Sequence, residues 1–289
     1  NGPDSVLKLL TTINNPSCYN EADGSIIINP EGGYPPYSYL WWENNSTEDQ
    51  INQLSPGNYN VSVMDSGECI INSTFSIVEP DLLTGFVNLT NVDCYDNNTG
   101  AAVSAIIGGT APYTINWSNG LNDTNKIDNL PAGDYKMFIS DINNCRDTAL
   151  FKINQPDSLN VNFDLTNVKC FGESNGNIIA NVSGGSPVYN YRWDNSAVVG
   201  NELSNLTAKT YGLTVIDTKG CEKYVSTELQ EPDKLEVALN IEHPLCYNLC
   251  NGSINITSTG GVKPYRFNIG NGDESDSIFN NLYHIFTNL

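Results

Sequence analysis

The sequence predicts an all-β protein built from tandem antiparallel β-sandwiches, one for every 76 residues. Three observations lead there. A Gly-Gly turn followed by an alternating apolar run recurs as Gly32 to Trp41, Gly108 to Trp117, Gly184 to Trp193 and Gly260 to Ile269. Tyr37, Tyr39 and Trp41 occupy every second position, as do Tyr113, Ile115 and Trp117, which is the period of a strand with one buried face. The cysteines keep the same interval, and no stretch shows helical periodicity.

Each copy opens with a short apolar strand, Val6 to Thr12 in the first and Leu83 to Leu89 in the second. The first cysteine follows in a polar loop ending at Gly24, Gly100, Gly176 or Gly252. A second strand (Ser25–Asn29 and its equivalents) leads to the Gly-Gly turn and the aromatic strand. After a variable polar stretch comes Ile51 to Leu54, matched by Ile127–Leu130, Leu203–Leu206 and Phe279–Leu282. Then Leu54-Ser55-Pro56-Gly57-Asn58-Tyr59 resembles the tyrosine corner of immunoglobulin-like (Ig-like) sandwiches, in which a phenol bonds back across a turn. Tyr59, Val61 and Val63 alternate inward, a tight turn at Asp65 to Glu68 follows, and a last strand carries Phe75 and Ile77. Six or seven such strands make an Ig-like antiparallel sandwich. The expected domains are residues 1–80, 81–156 and 157–232, with a partial repeat at 233–289.

The joints read Glu79-Pro80-Asp81, Gln155-Pro156-Asp157 and Glu231-Pro232-Asp233, with no flexible linker. Proline fixes its own φ and restricts its predecessor, so neighbouring sandwiches are expected to line up as a rod. Asn1-Gly2-Pro3-Asp4 enters partway through the pattern without a signal peptide, so the chain is expected to be an excerpt of something longer.

Cys18, Cys94, Cys170 and Cys246 form one series; Cys69, Cys145 and Cys221 form another, 51 residues after the first within each copy. A core this small needs a staple, and the spacing reads as one disulfide per full repeat: Cys18–Cys69, Cys94–Cys145 and Cys170–Cys221. Zinc fits badly, because the cysteines come singly and the histidines are His243 and His284. Disulfides place the chain outside the reducing cytosol. Cys246 has no partner at the expected spacing, and a local Cys246–Cys250 bond is favoured over two free thiols. The fourth copy also has Thr287 where the corner tyrosine stands, so its closing strands are expected to be absent or divergent.

The net charge of −20 argues against nucleic acid and anionic membrane as partners, and no apolar run is long enough to cross a bilayer. The pattern is Cys, Gly-rich turn, Gly-Gly-x-x-Pro-Tyr-x-Tyr-x-Trp, Asn-Leu-x-Ala-Gly-x-Tyr, Asp-x-x-Gly-Cys and Glu-Pro, with individual copies varying around it. It resembles the SprB-type repeat of large Bacteroidetes surface adhesins associated with gliding motility. Val188, Lys209 and Ile269 depart from it. The resemblance implies export through type IX secretion to the cell surface, and service in an adhesin or filament whose partners are neighbouring repeats or other copies of the chain. It brings no catalytic residues and no cofactor.

Two further candidates remain. Asp65, Asp141 and Asp217 recur, as do Asp81, Asp157 and Asp233, and could ligate calcium; capping of their own turns fits better, since calcium needs six or more converging oxygens. Trp42 points away from the core next to Tyr34 in the same copy, and the pair is a candidate contact for a partner or a surface polysaccharide. Neither histidine lies in the first three copies, so a serine or cysteine nucleophile lacks a base, and no enzyme activity is expected. The reading is a structural spacer of an extracellular adhesin; the alternative is a carbohydrate-binding module.

Overall fold

The computed structural model describes residues 6–194, 196–245, 251–267, 278–279 and 283–287. All regular elements among them are β-strands, and all their pairings are antiparallel. The first repeat contributes β1 (Lys8–Asn14), β2 (Gly24–Glu31), β3 (Ser38–Trp41), β4 (Gln50–Leu54), β5 (Gly57–Met64) and β6 (Ile70–Ile77). They form two three-stranded sheets, ordered β1-β2-β4 and β3-β5-β6. The second repeat copies this with β7 (Thr84–Thr90), β8 (Gly100–Ile107), β9 (Thr114–Trp117), β10 (Lys126–Leu130), β11 (Gly133–Ser140) and β12 (Arg146–Ile153). The third does so with β13 (Asn160–Thr166), β14 (Gly176–Ser183), β15 (Asn190–Trp193), β16 (Glu202–Leu206), β17 (Thr210–Ile216) and β18 (Glu222–Glu228). These are tandem Ig-like sandwiches.

The alternation seen in the sequence is what buries the core. On β2 and β5, Ile26, Ile28, Val61 and Val63 are at most 1% exposed. They meet Trp41, Ile51, Leu54 and Ile77 between the sheets, with Tyr37, Tyr39, Tyr59 and Phe75 packed around them. Equivalent clusters centre on Ala102, Trp117, Met137 and Ile153, and on Ile178, Trp193, Leu213 and Leu229. Each buried tryptophan satisfies its indole N–H on a loop carbonyl seven residues later. Trp41 Nε1 donates to Glu48 O (3.0 Å), Trp117 to Thr124 O (2.9 Å) and Trp193 to Gly200 O (2.8 Å). That bond ties the variable β3–β4 loop, and its equivalents, to the core. The corner tyrosines close as expected: Tyr59 donates to Ser55 O (2.8 Å), Tyr135 to Pro131 O (3.0 Å) and Tyr211 to Thr207 O (2.9 Å).

By its contacts the chain divides into two units: Asn1–Val92 with Asp96–Gln155, and Pro156–Leu289 with Asp93–Tyr95. The second unit also holds β19 (Glu236–Glu242), β20 (Ser253–Thr259), β21 (Tyr265–Arg266), β22 (Ile278–Phe279) and β23 (Tyr283–Thr287). Here the period misleads. The strand beside β20 is β23, with Ile254 opposite Phe286, whereas Ile278–Phe279 pairs with β21. Phe279–Leu282 therefore does not take the place of Ile51–Leu54, and Thr287 stands opposite Ser253 and not at a corner. A fixed interval locates a strand only where the loop before it keeps its length, and the fourth copy spaces its strands differently. Cys246 and Cys250 lie outside the described residues.

Candidate functional site: the repeat junction

The disulfides do not form within repeats. Cys18 bonds to Cys145 and Cys94 bonds to Cys221, each across 127 residues, with Cα atoms 5.6 Å apart. This corrects the pairings Cys18–Cys69, Cys94–Cys145 and Cys170–Cys221. The reason is the position of the two cysteines on one sandwich. The first sits in the β1–β2 loop, which is held to the far end of β6: Val78 N donates to Asn15 Oδ1 (3.0 Å), and Asn20 N donates to Glu79 Oε2. The second immediately precedes β6, at its start. Eight residues of β6 separate the two ends, roughly 25 Å of strand, whereas a disulfide needs Cα atoms within about 7 Å.

Each first-cysteine loop is built by its own repeat. The Glu/Gln before the joint proline reaches back to it: Gln155 Oε1 accepts from Asp96 N (2.9 Å) and Glu231 Oε2 from Gly172 N (2.7 Å). An asparagine at the other side is equally repeated, with Asn91 and Asn167 capping Asn154 N and Gln230 N (2.9 and 3.1 Å). The Glu-Pro signature thus positions a cysteine.

The turn that receives the loop is organised by a buried aspartate. Asp65, Asp141 and Asp217 are 2%, 5% and 3% exposed. Asp141 Oδ2 accepts from Thr110 N (2.8 Å), and its Oδ1 accepts from Asn143 N and Cys145 N (both 2.9 Å). Asp65 holds Tyr34, Gly67 and Cys69 in the same way, and Asp217 holds Ser186, Lys219 and Cys221. These carboxylates cap their own turns. Backbone N–H groups, Cys69 foremost, hold the Asp65 carboxyl below its usual range. Burial pushes Asp217 up, but donation from Ser186, Cys221, Lys219 and Gly220 outweighs it and the net direction is down.

The Gly-Gly turn lies against this aspartate. Gly109 has φ of +62°, and a Cβ on it would fall 3.1 Å from Asp141 Oδ2. On Gly108 a Cβ would lie 2.0 Å from Leu82 O, which no side chain can accept. The joint aspartates act through their backbone: Asp81 O and Asp157 O accept from Gly109 N and Gly185 N (both 2.8 Å).

In the first unit the junction closes where Cys145 Sγ lies 3.2 Å from Ser17 O and Asn143 Nδ2 donates to the same carbonyl (3.1 Å). Asn15, Pro16, Ser17, Val78, Glu79, Pro80, Thr110 and Asn143 line a cleft of about 430 Å³ beside the disulfide. In the second unit Cys221 Sγ lies 3.4 Å from Asp93 O, and Lys219 pairs with Asp93 at 3.8 Å. Cys69 and Cys170 are unpaired and exposed.

The aromatic candidates are not brought together. Trp42 is 57% exposed at one end of β3, its N–H bonded to Asn60 O and its indole to Ser62 Oγ (3.1 Å). With Leu40, Met64 and Ile70 it lines a groove of about 390 Å³ on the outer face of the β3-β5-β6 sheet. Tyr34 lies beyond the other end, where its carbonyl accepts from Ser66 N (2.8 Å). The partners Asn60 and Ser66 stand about 20 Å apart along extended chain.

The SprB repeat model matches residues 10–46, 87–122, 162–198 and 238–274, more than half of the chain. The chain belongs to the SprB repeat family. No curated protein matches it. Among solved structures it is similar to titin domains I67–I69, at 9% identity and TM-score 0.37, covering 80% of this chain and 99% of that one. It is also similar to the N-terminal eight Ig domains of Down Syndrome Cell Adhesion Molecule (9%, TM-score 0.31, covering 94% and 54%). The N-terminal four Ig domains of Dscam1 isoform 6.44 give 11% and TM-score 0.27, covering 100% and 92%. SprB repeats belong to cell-surface proteins, and the disulfides of this one fit an oxidising exterior. The repeat family is of a structural kind.

Proposed function

We propose that this SprB-repeat chain is a load-bearing spacer of a secreted, surface-attached adhesin or filament, holding a binding element away from the cell. The overlap of the two disulfides carries the reading. The loops closed by Cys18–Cys145 and Cys94–Cys221 share the segment between 94 and 145. The shortest covalent path from Cys18 to Cys221 therefore crosses to Cys145, runs back to Cys94 and crosses again. Tension follows that path. Strands β2 to β6 and β13 to β17, which supply most of the first and third cores, lie off it; of these two sandwiches only β1, before Cys18, and β18, after Cys221, stay on the loaded path.

Single-molecule pulling between Val6 and Tyr265 tests this. The oxidised chain is expected to lengthen far less than the reduced one, in which every unfolded residue adds about 3.5 Å. Equal lengthening in the two states overturns the reading. No residue of the site is assigned a catalytic role.

The carbohydrate-binding alternative rests on Trp42 and its groove. Its equivalents are engaged elsewhere: Ser118 Oγ accepts from Lys136 N (3.0 Å) and Asp194 Oδ2 accepts from Tyr224 (3.0 Å). A repeated lectin would keep its site, so the spacer reading is preferred; glycan-array binding lost in Trp42→Ala would reverse that preference.

A further inference from the structure

Cys69 and Cys170 occupy the two halves of the junction described above. Cys69 stands where Cys145 and Cys221 stand, and Cys170 where Cys18 and Cys94 stand. The backbone of the receiving turn around Cys69 is preformed: Asp65 N donates to Cys69 O (3.1 Å) and Cys69 N to Asp65 Oδ1 (2.9 Å). Occupied turns have the same pair of bonds, at 3.1 and 2.9 Å for Cys145 and 3.0 and 2.9 Å for Cys221. The loop of Cys170 is likewise preformed. Glu173 N donates to Cys170 O at 3.2 Å, as Glu21 N does to Cys18 O, and Asn175 Oδ1 caps Lys169 N (2.9 Å) as Asp23 caps Ser17 N (2.9 Å). Gly67 stands where Asn143 and Lys219 reach the incoming loop, so a partner on the Cys69 turn is held by the backbone and the disulfide; the four bonded cysteines are half-buried, and Cys69 and Cys170 are exposed.

The geometry points to an interaction surface on the first repeat: the Asp65–Cys69 turn receives the first-cysteine loop of a further SprB-type repeat and closes on it in a disulfide. The occupant of this turn is seen twice in the same molecule, so its chemistry is an Asn-x-x-Cys-aromatic loop held by a Glu/Gln-Pro joint. Lys169 precedes Cys170 and Glu68 precedes Cys69, so a loop of the third-repeat kind brings opposite charge to the turn. Closure proceeds by exchange with glutathione disulfide. The Cys69 thiolate attacks one glutathione sulfur and releases a glutathione thiolate. The incoming cysteine thiolate then attacks Cys69 Sγ, forming the protein disulfide and releasing the second glutathione. Two thiols are oxidised, one glutathione disulfide is reduced, and the two protons end on glutathione. The surface stands independently of the load-bearing reading, since it concerns recognition and not force.

The test is an extended chain in which a copy of residues 157–233 is placed directly ahead of Val6, oxidised in glutathione buffer and mapped by mass spectrometry. The expected result is a bond between Cys69 and the Cys170 of the added copy, with loss of Cys69 alkylation by iodoacetamide. The Cys170 at its original place stays alkylatable. Cys170→Ser in the added copy is expected to restore Cys69 labelling. Intact Cys18–Cys145 and Cys94–Cys221 bonds in the same sample show that the repeats have folded. Cys69 that stays alkylatable, carries only glutathione, or pairs with Cys69 of another molecule overturns the inference.

Discussion

At the residue scale, the buried aspartates carry a cost that only their hydrogen bonds offset. Asp141→Ala leaves Thr110, Asn143 and Cys145 with unsatisfied N–H groups in a half-buried turn. Its expected cost is about 3 kcal/mol by denaturant titration, with Asp141→Asn costing less. Protonation acts on the same bonds. The folded carboxyls of Asp65 and Asp217 lie below the ordinary value, and so does that of Asp23, which accepts from Ser17. Such groups stabilise the fold fully above their unfolded pKa, about 4, and lose that contribution as pH falls through the lowered folded values. Melting temperature is therefore expected to be flat above about pH 5 and to drop below pH 4. Tyr135→Phe removes the bond to Pro131 O without changing the ring, and is expected to cost about 1 kcal/mol. The corner tyrosines and the turn caps of the aspartates were legible because those bonds are local, with donor and acceptor four or fewer residues apart; the Oδ2 bond that each aspartate takes from the Gly-Gly segment 31 residues away was not.

At the scale of elements, the junction joins a loop from one repeat to a turn from the next. Cys18→Ser is expected to free the thiol of Cys145 and to leave Cys94–Cys221 intact, as peptide mapping of alkylated protein would show. Appearance of a new Cys69 thiol in that variant would instead mean that Cys18 had been its partner. Glu231→Ala removes the acceptor that holds Gly172, and is expected to loosen the Cys170 loop without disturbing β18. The 76-residue period suggested pairing inside one copy because both cysteines belong to it. Strand geometry forbids this, since the length of β6 lies between them. The Glu-Pro signature predicts a stiff joint from proline alone, whereas the glutamate or glutamine before it anchors the cysteine loop.

For the whole molecule, each of the first three cores draws its buried residues from its own copy, while covalent bonds run between copies. Reduction is thus expected to leave strand content by circular dichroism nearly unchanged at 25 °C while lowering the melting temperature. The entropic stabilisation lost is up to about 5 kcal/mol per bond on the loop-closure model. Calcium chelation is expected to change melting by no more than a degree or two, because the carboxylates of Asp65, Asp141 and Asp217 already accept from backbone N–H groups and the joint aspartates engage through their backbone carbonyls. A drop of tens of degrees would show that ions hold the joints.

The sequence by itself determined the succession of strands along the first three copies, their inward residues, the corner tyrosines and the membership of the repeat family. All of these follow from contacts close along the chain, or from a spacing copied four times. The partner of each cysteine, and the strand that pairs with β20, were decided only by tertiary structure. Both depend on which end of a sandwich a loop reaches and on how long the intervening segment is. A period in sequence repeats such distances without saying whether they are spanned within one copy or between two.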